Sequence, residues 1–285
     1  MNGTLSLRKP FWLNKKINLA LCREVKSLLR GLGVNTICEE ARCPNLSQCF
    51  SKKIVTFMIL GDICTRDCKF CNVRKGKPKE VDYSEPVRVA EAVKRLNLRY
   101  VVITSPTRDD LPDGGASMFS LTVKEIKDLD FVQGVEVLIP DFMAQPELVR
   151  KVIEVSPTVV AHNLETVPSL YSIIRSRANY QRCLKVLQLV KEINPSIPTK
   201  SGIMLGLGEE KREVREVLQD LREVGCDFLT IGQYLPPSNV HYPVKRYVPP
   251  EEFAFWEEIG LKMGFKRVLS SPYVRSSYWA QRFLD

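Results

Sequence analysis

Residues 54–71 read IVTFMILGDICTRDCKFC. The first seven are apolar or β-branched, a Gly61-Asp62 turn follows, and the stretch ends in three closely spaced cysteines. A short unbroken apolar run stopped by a turn reads as a strand buried on both faces, which is how parallel sheets are built. The loop after such a strand lies at the end of the sheet where ligands bind, so these cysteines fall where chemistry is expected.

The same rhythm repeats downstream. Short strand-like runs recur as YVVIT (100–104), VEVLI (135–139), TVVAH (158–162), GIMLGL (202–207) and FLTIG (228–232). Helical patterns separate them: EPVRVAEAVKRL behind Ser84 as N-cap, then MFSLTVKEIKDL, QPELVRKVIE, YQRCLKVLQLVKEI and EKREVREVLQDLREV, with PEEFAFWEEIGLKM after the last strand. Strand–helix alternation predicts right-handed βαβ units around a parallel sheet. The class is therefore α/β, and six units predict an open, partial (β/α)6 TIM-like barrel. Pattern alone leaves a doubly wound sheet as the alternative. One integrated domain is expected, with an N-terminal extension (1–50), the barrel (51–264) and a C-terminal tail (265–285).

Length and composition agree with this. The chain has 285 residues, enough for a barrel of ~200–250. No apolar run approaches the ~18–20 residues of a membrane span. The first acidic residue is Glu24, but the basic start has no apolar segment of the kind a secretory signal carries; a cytoplasmic protein is expected. The net charge of +9 is spread over helices, which reads as solvated faces with an attraction for an acidic partner. No nucleic-acid module with interleaved aromatics is evident, so neither nucleic acid nor membrane is an expected partner.

Nine cysteines is an odd count that suits a disulfide framework poorly. Cys22, Cys183 and Cys226 are scattered and read as inert thiols. The other six form two triads. Cys64, Cys68 and Cys71 are spaced C-x3-C-x2-C; Cys38, Cys43 and Cys49, in CEEARCPNLSQC, are spaced C-x4-C-x5-C. Zinc sites favour C-x2-C pairs with two further ligands, and the only histidines, His162 and His241, are distant in sequence. His162, at a strand end, reads as a core histidine. Three thiolates can instead hold three irons of a cubane and leave the fourth open. Six thiolates exceed what one cubane takes, so the first triad is expected to hold a second cluster, whose fourth ligand comes from elsewhere or stays open to substrate.

CTRDCKFC, with Phe70 before its last cysteine, resembles the radical S-adenosylmethionine superfamily. The two triads in this order and separation resemble, more narrowly, the lipoyl synthase family. RKPFWL (8–13), TSPTRDDLPDGGA (104–116), VEVLIPDF (135–142), HNLETVP (162–168), KSGIMLGLGE (200–209), LTIGQYLPPS (229–238) and VRSSYWA (274–280) carry that resemblance over nearly the whole chain. Methylthiotransferases also carry two clusters but lack the RSSY motif. The sequence departs from the family pattern in RSRANY (175–180), where a Pro-Gly pair is usual, and at Ser271 and Tyr273, where Gly and Leu are usual.

The resemblance implies an enzyme with two 4Fe-4S clusters and S-adenosylmethionine. It would insert two sulfur atoms at carbons 6 and 8 of an octanoyl chain held on a carrier lysine. Cys64, Cys68 and Cys71 would bind the cluster whose open iron holds S-adenosylmethionine, the source of a 5′-deoxyadenosyl radical. Cys38, Cys43 and Cys49 would bind an auxiliary cluster consumed as sulfur donor. Its fourth ligand is a serine of RSSY, Ser277 by carry-over with Ser276 as the near alternative, expected to be displaced as sulfur leaves. The barrel rule puts Asn163 and Glu165 on the cofactor face, Gly114 and Gly115 would permit close backbone approach to a ligand, and Thr104 is named with them as cofactor-binding, with the GLGE loop (206–209) as a further contact and Arg108 and Arg175 as carboxylate or substrate binders. The implied partners are octanoylated lipoyl carrier domains (of 2-oxoacid dehydrogenase complexes and of glycine cleavage), a small reductant protein such as ferredoxin or flavodoxin, and an iron–sulfur carrier. The alternatives are another radical sulfur-insertion enzyme and a non-catalytic metal-binding protein.

Overall fold

A computed structural model describes residues 8–15 and 19–283. The strands in chain order are β1 (Asn35–Thr36), β2 (Thr56–Met58), β3 (Ile63–Cys64), β4 (Arg74–Lys75), β5 (Tyr100–Thr104), β6 (Gly134–Leu138), β7 (Val159–Ala161), β8 (Thr199–Leu205), β9 (Phe228–Gln233) and β10 (Arg267–Ser270). The α-helices are α1 (Arg23–Gly31), α2 (Ile37–Glu40), α3 (Leu46–Ser51), α4 (Glu85–Leu96), α5 (Ala116–Lys127), α6 (Pro146–Ile153), α7 (Tyr171–Ile174), α8 (Tyr180–Ile193), α9 (Lys211–Glu223) and α10 (Pro250–Lys262).

Eight strands form one sheet in the order β1-β2-β5-β6-β7-β8-β9-β10. Every neighbouring pair from β2 to β10 is parallel, and β1 alone is antiparallel, with Thr36 opposite Phe57. The order begins at β1 and ends at β10, so the sheet is open rather than closed. The expected helices all form, for legible reasons. Pro146 opens α6, Asn179 accepts from Arg182 N at the start of α8, and Glu210 and Glu213 build a capping box on α9. Asn97 takes the left-handed conformation that ends α4. Their apolar faces pack outside the sheet in two large cores. One gathers Val93, Phe119, Ile126 and Val149 against Phe57, Ile103 and Val137. The other gathers Leu187, Val217, Leu221 and Trp256 against Ile203, Leu229 and Ile231.

Two features differ from the sequence expectation. β10 is a seventh parallel strand, so part of the tail belongs to the sheet; RVLS (267–270) has only two buried residues alternating with an exposed Arg267 and a half-buried Leu269, too weak a signal to read. The N-terminal extension also enters the sheet, through β1. Away from the cysteine loops the sheet encloses a polar pair, Lys200 of β8 and Glu136 of β6, both fully buried and ion-paired, with Tyr100 Oη donating to Glu136. Phe283, near the C-terminus, lies 4.8 Å from Lys200 Nζ, its ring facing the ammonium.

Candidate active site

The C-terminal end of β2 leads into the second cysteine triad. Ile59 N donates to Thr104 O, which keeps the chain in the sheet, and Gly61 (φ 81°) turns it outward. β3 and β4 then pair in parallel, Cys64 opposite Lys75, and the segment between them is closed into a loop. Cys71 N donates to Cys68 O, Lys69 N to Ile174 O and Thr65 N to Thr107 O. Arg66 locks the loop from within: its guanidinium bridges Asp109 and Asp141, each through two 2.8 Å hydrogen bonds, and Arg182 holds Asp141 from the other side. Burial pushes the Cys71 thiol up to about 12, and Cys68 and Cys64 push the same way. Burial raises Cys68 as well, against the pull of Arg175.

The first triad is built on two short helices. The Thr36 hydroxyl caps α2 by accepting from Glu39 N, which seats Cys38 on α2. Cys43 N then donates to Cys38 O, and Cys49 follows on α3. Burial pushes Cys38 and Cys49 up to about 12, and each feels Cys43. Lys15 and Lys52 oppose that rise at Cys49, and Thr56 opposes it at Cys38. Each triad thus includes two thiols that burial and their cysteine neighbours hold above the ordinary range, a donor set of the kind that ligates a metal or cluster. Among the described residues no three His, Cys, Asp or Glu side chains converge on a single ion. A cubane takes its thiolates one to each iron, the ligation that each triad's cysteines would offer.

The triads share one face. Asn72, next to Cys71, donates through Nδ2 to Glu40 O, between Cys38 and Cys43, at 2.6 Å. The tail closes the same face. A Cβ on Gly232 of β9 would run into Val274 O, so this glycine is what lets VRSSY lie against the sheet. Tyr273 ties the tail to the N-terminal extension: its hydroxyl donates to Leu13 O, its carbonyl accepts from Asn45 Nδ2, and Lys15 sits 4.7 Å from its ring. The two serines then point to different partners. Thr56 Oγ1 donates to Ser277 Oγ at 2.8 Å, beside Cys38. Ser276 Oγ donates to Asn163 Oδ1 at 3.0 Å, and Asn163 Nδ2 donates to Glu165 Oε1. Glu165 lies within electrostatic reach of Cys68 and Cys71, and Arg275 within reach of both Glu165 and Cys43.

The other sequence-selected residues separate into two groups. Thr104 ends β5 beside the cysteine loop, its hydroxyl donating to Leu138 O. Gly114 and Gly115 make room for protein: added Cβ atoms would meet the Phe142 ring and Leu60. Glu209 folds the GLGE loop on itself, accepting from the amides of Gly206, Leu207 and Gly208. Arg108 and Arg175 are both buried. Arg108 holds Asp110, Leu60 O and Lys79 O, and Arg175 holds the carbonyls of Asn163 and Leu164. His162 is a core residue whose Nδ1–H donates to Ile139 O. Cys22, Cys183 and Cys226 are buried outside the triads; burial works against ionising Cys183, but His162 and Arg175 outweigh it and hold the thiol at about 7. Arg177, in the segment that departs from the family pattern, donates to Thr65 O in the cysteine loop. Sequence reading missed Arg66, Asp141, Arg182 and Thr56; only Arg66, lying between Cys64 and Cys68, carried any signal.

Comparison with known proteins gives the family. The Radical SAM superfamily model matches residues 58–236. The lipoyl synthase of Caldicellulosiruptor saccharolyticus is 54% identical over 97% of this chain and 98% of the relative. That of Caldanaerobacter subterraneus subsp. tengcongensis is 54% identical over 97% of each. Among solved structures, HydG, a maturase of the [FeFe]-hydrogenase, has a TM-score of 0.60 at 15% identity, covering 87% of this chain and 62% of that one. Streptococcus suis SuiB bound to precursor peptide SuiA has a TM-score of 0.58 at 11% identity, covering 93% and 57%. At those identities the structural likeness speaks for the fold.

Proposed function

This chain belongs to the lipoyl synthases of the radical S-adenosylmethionine superfamily, and from that premise we propose how its residues divide the work of placing two sulfur atoms on an octanoyl chain, at carbons 6 and 8. The observation that carries the reading is the shared face: two thiol triads, buried or half-buried, and an RSSY tail whose serines meet Thr56 beside Cys38 and Asn163 next to Glu165. Cys64, Cys68 and Cys71 hold the cluster that binds S-adenosylmethionine. Cys38, Cys43, Cys49 and Ser277 hold the auxiliary cluster. When bound, the two clusters and S-adenosylmethionine supply the electron, the hydrogen abstraction and the sulfur.

The chain's own part is binding, orientation and exclusion of water. Asn163 donates to Glu165 beyond the end of β7, leaving an amide N–H and a carboxylate oxygen for the ribose and amino groups of S-adenosylmethionine, and Thr104 ends β5, two strands away in the sheet. Arg66, held by two carboxylates, keeps the cysteine loop in one shape. Ser277, steadied by the Thr56 hydroxyl, supplies an oxygen ligand that leaves more readily than a thiolate. The acceptor is an octanoylated carrier protein. Its identity as a 2-oxoacid dehydrogenase or glycine cleavage carrier, a ferredoxin- or flavodoxin-type electron donor, an iron–sulfur carrier that rebuilds the auxiliary cluster, and a cytoplasmic location complete the proposal. No helix among the described residues is long and apolar enough to cross a membrane.

One anaerobic preparation tests it. The expected result is about eight irons and eight sulfides per chain, reductant-dependent cleavage of S-adenosylmethionine, and sulfur gain on an octanoyl-lysyl peptide. Zinc in place of iron would overturn the assignment, and cleavage without sulfur transfer would leave a radical enzyme with another substrate.

A further inference from the structure

We propose that Ser276 is a positioning residue for the S-adenosylmethionine side of the site, so that two adjacent serines of one tail each serve a different cluster. The inference rests on the reading of Asn163 and Glu165 given above. It starts from the hydrogen-bond chain Ser276 Oγ–H to Asn163 Oδ1 (3.0 Å) and Asn163 Nδ2–H to Glu165 Oε1 (3.0 Å). A carboxylate can only accept, so Glu165 must take the Asn163 amide hydrogen, and the amide oxygen is left for a donor. Ser276 is that donor. With both ends held, the Asn163 amide has a single orientation, and it keeps one N–H for a ligand while Glu165 keeps one oxygen.

Two close approaches make this arrangement a built one. Gly202 of β8 leaves room for Asn163: a Cβ there would lie 3.1 Å from Asn163 Oδ1 and 2.5 Å from Thr230 Oγ1. Gly232 of β9 leaves room for the tail at Val274. Neighbouring strands thus each give up a side chain, one where the amide sits and one where the tail crosses. Ser277, one residue on, meets Thr56 beside the other triad. The two contacts thus lie on adjacent residues of one stretch of tail.

The test uses the holoenzyme with both clusters filled and S-adenosylmethionine itself as probe, its dissociation constant read by equilibrium dialysis. Ser276→Ala is expected to weaken binding about three- to tenfold, the size of one neutral hydrogen bond, with iron and sulfide content unchanged. The effect is expected to vanish in an Asn163→Ala background, since the two residues act through one bond. Unchanged affinity overturns the proposal, and so do losses that simply add in the double variant. Loss of auxiliary-cluster iron in Ser276→Ala also overturns it, because Ser276 would then be the ligand. Sulfur gain by the wild-type enzyme on an octanoyl-lysyl peptide is followed separately. Its failure would remove the proposed substrate while leaving the affinity result to stand or fall alone.

Discussion

Thr56 and Ser277 are 221 residues apart in the chain, yet the Thr56 hydroxyl donates to the Ser277 hydroxyl at 2.8 Å. Thr56 opens the first barrel strand and lies against Cys38; Ser277 lies in the tail beyond the last strand. This bond therefore joins the two ends of the sheet at the first triad. The same hydroxyl also reaches Cys38, so its one hydrogen serves either the Ser277 oxygen or the Cys38 sulfur, and either way it favours negative charge on a proposed ligand of the auxiliary cluster.

Thr56→Val keeps the shape of the side chain and removes that donor. Partners one step beyond a metal ligand typically matter by 10–100-fold, so a loss of about tenfold in sulfur-inserted product is expected, with cleavage of S-adenosylmethionine retained. Ser277→Ala should cost more by the same two assays. Equal product from Thr56→Val and wild type would show that the hydrogen bond has no role in sulfur transfer.

The triads should separate cleanly by substitution. Alanine at Cys64, Cys68 and Cys71 is expected to abolish cleavage of S-adenosylmethionine. Alanine at Cys38, Cys43 and Cys49 is expected to leave cleavage and abolish sulfur gain. Iron should fall from about eight to about four per chain in either triple variant. Sulfur transfer by the second variant would contradict the assignment of the auxiliary cluster.

Asp141 carries a prediction in pH. Burial opposes its charge, but Arg66, and after it His162 and Arg182, outweigh burial and hold its carboxyl well below the usual carboxylate range. A depressed native pKa stabilises the fold above the unfolded value of about 3.9, and that stability is lost as pH falls toward the native value. Asp141→Asn strands two buried guanidinium contacts and is expected to cost about 3–5 kcal/mol; the Asp141 side chain is 1% exposed and that of Arg66 5%. Urea midpoints should show the gap between wild type and variant constant from pH 7 to about pH 4 and narrowing below. A gap that widens in acid would reverse the sign of the argument.

The barrel and both triads could be read in the sequence because their signals are local. Strand runs such as YVVIT and helix faces such as those of α8 and α9 repeat at fixed periods, and cysteines announce themselves by spacing. Arg66–Asp141, Thr56–Ser277 and Ser276–Asn163 could not be read, because each joins residues 75 or more positions apart with no pattern linking them. The carbonyls that Arg108 and Arg175 hold were illegible for the same reason, since they come from segments 48 and 11 positions away. β10 escaped notice because an edge strand needs few buried residues.

Charge gives the last prediction. The net charge is +9, and Arg42, Lys52 and Lys53 are exposed on and beside the elements that carry the first triad. Lys52 is partly engaged, 4.6 Å from the Trp279 ring and close to Cys49, which leaves Arg42 and Lys53 as the cleaner probes. Complementary charge acts mainly on encounter, and its reach is about 8 Å at physiological salt and 30 Å at 0.01 M. With an acidic octanoylated carrier domain, the association rate should fall as salt rises, and Arg42→Glu with Lys53→Glu should lower it further at low salt. A short octanoyl-lysyl peptide lacks the carrier's surface, so its turnover should change little in the same variant. Stopped-flow association at several salt concentrations measures the first effect and peptide turnover the second. A carrier association rate indifferent to both salt and charge reversal would mean that the basic face near the first triad does not receive the carrier.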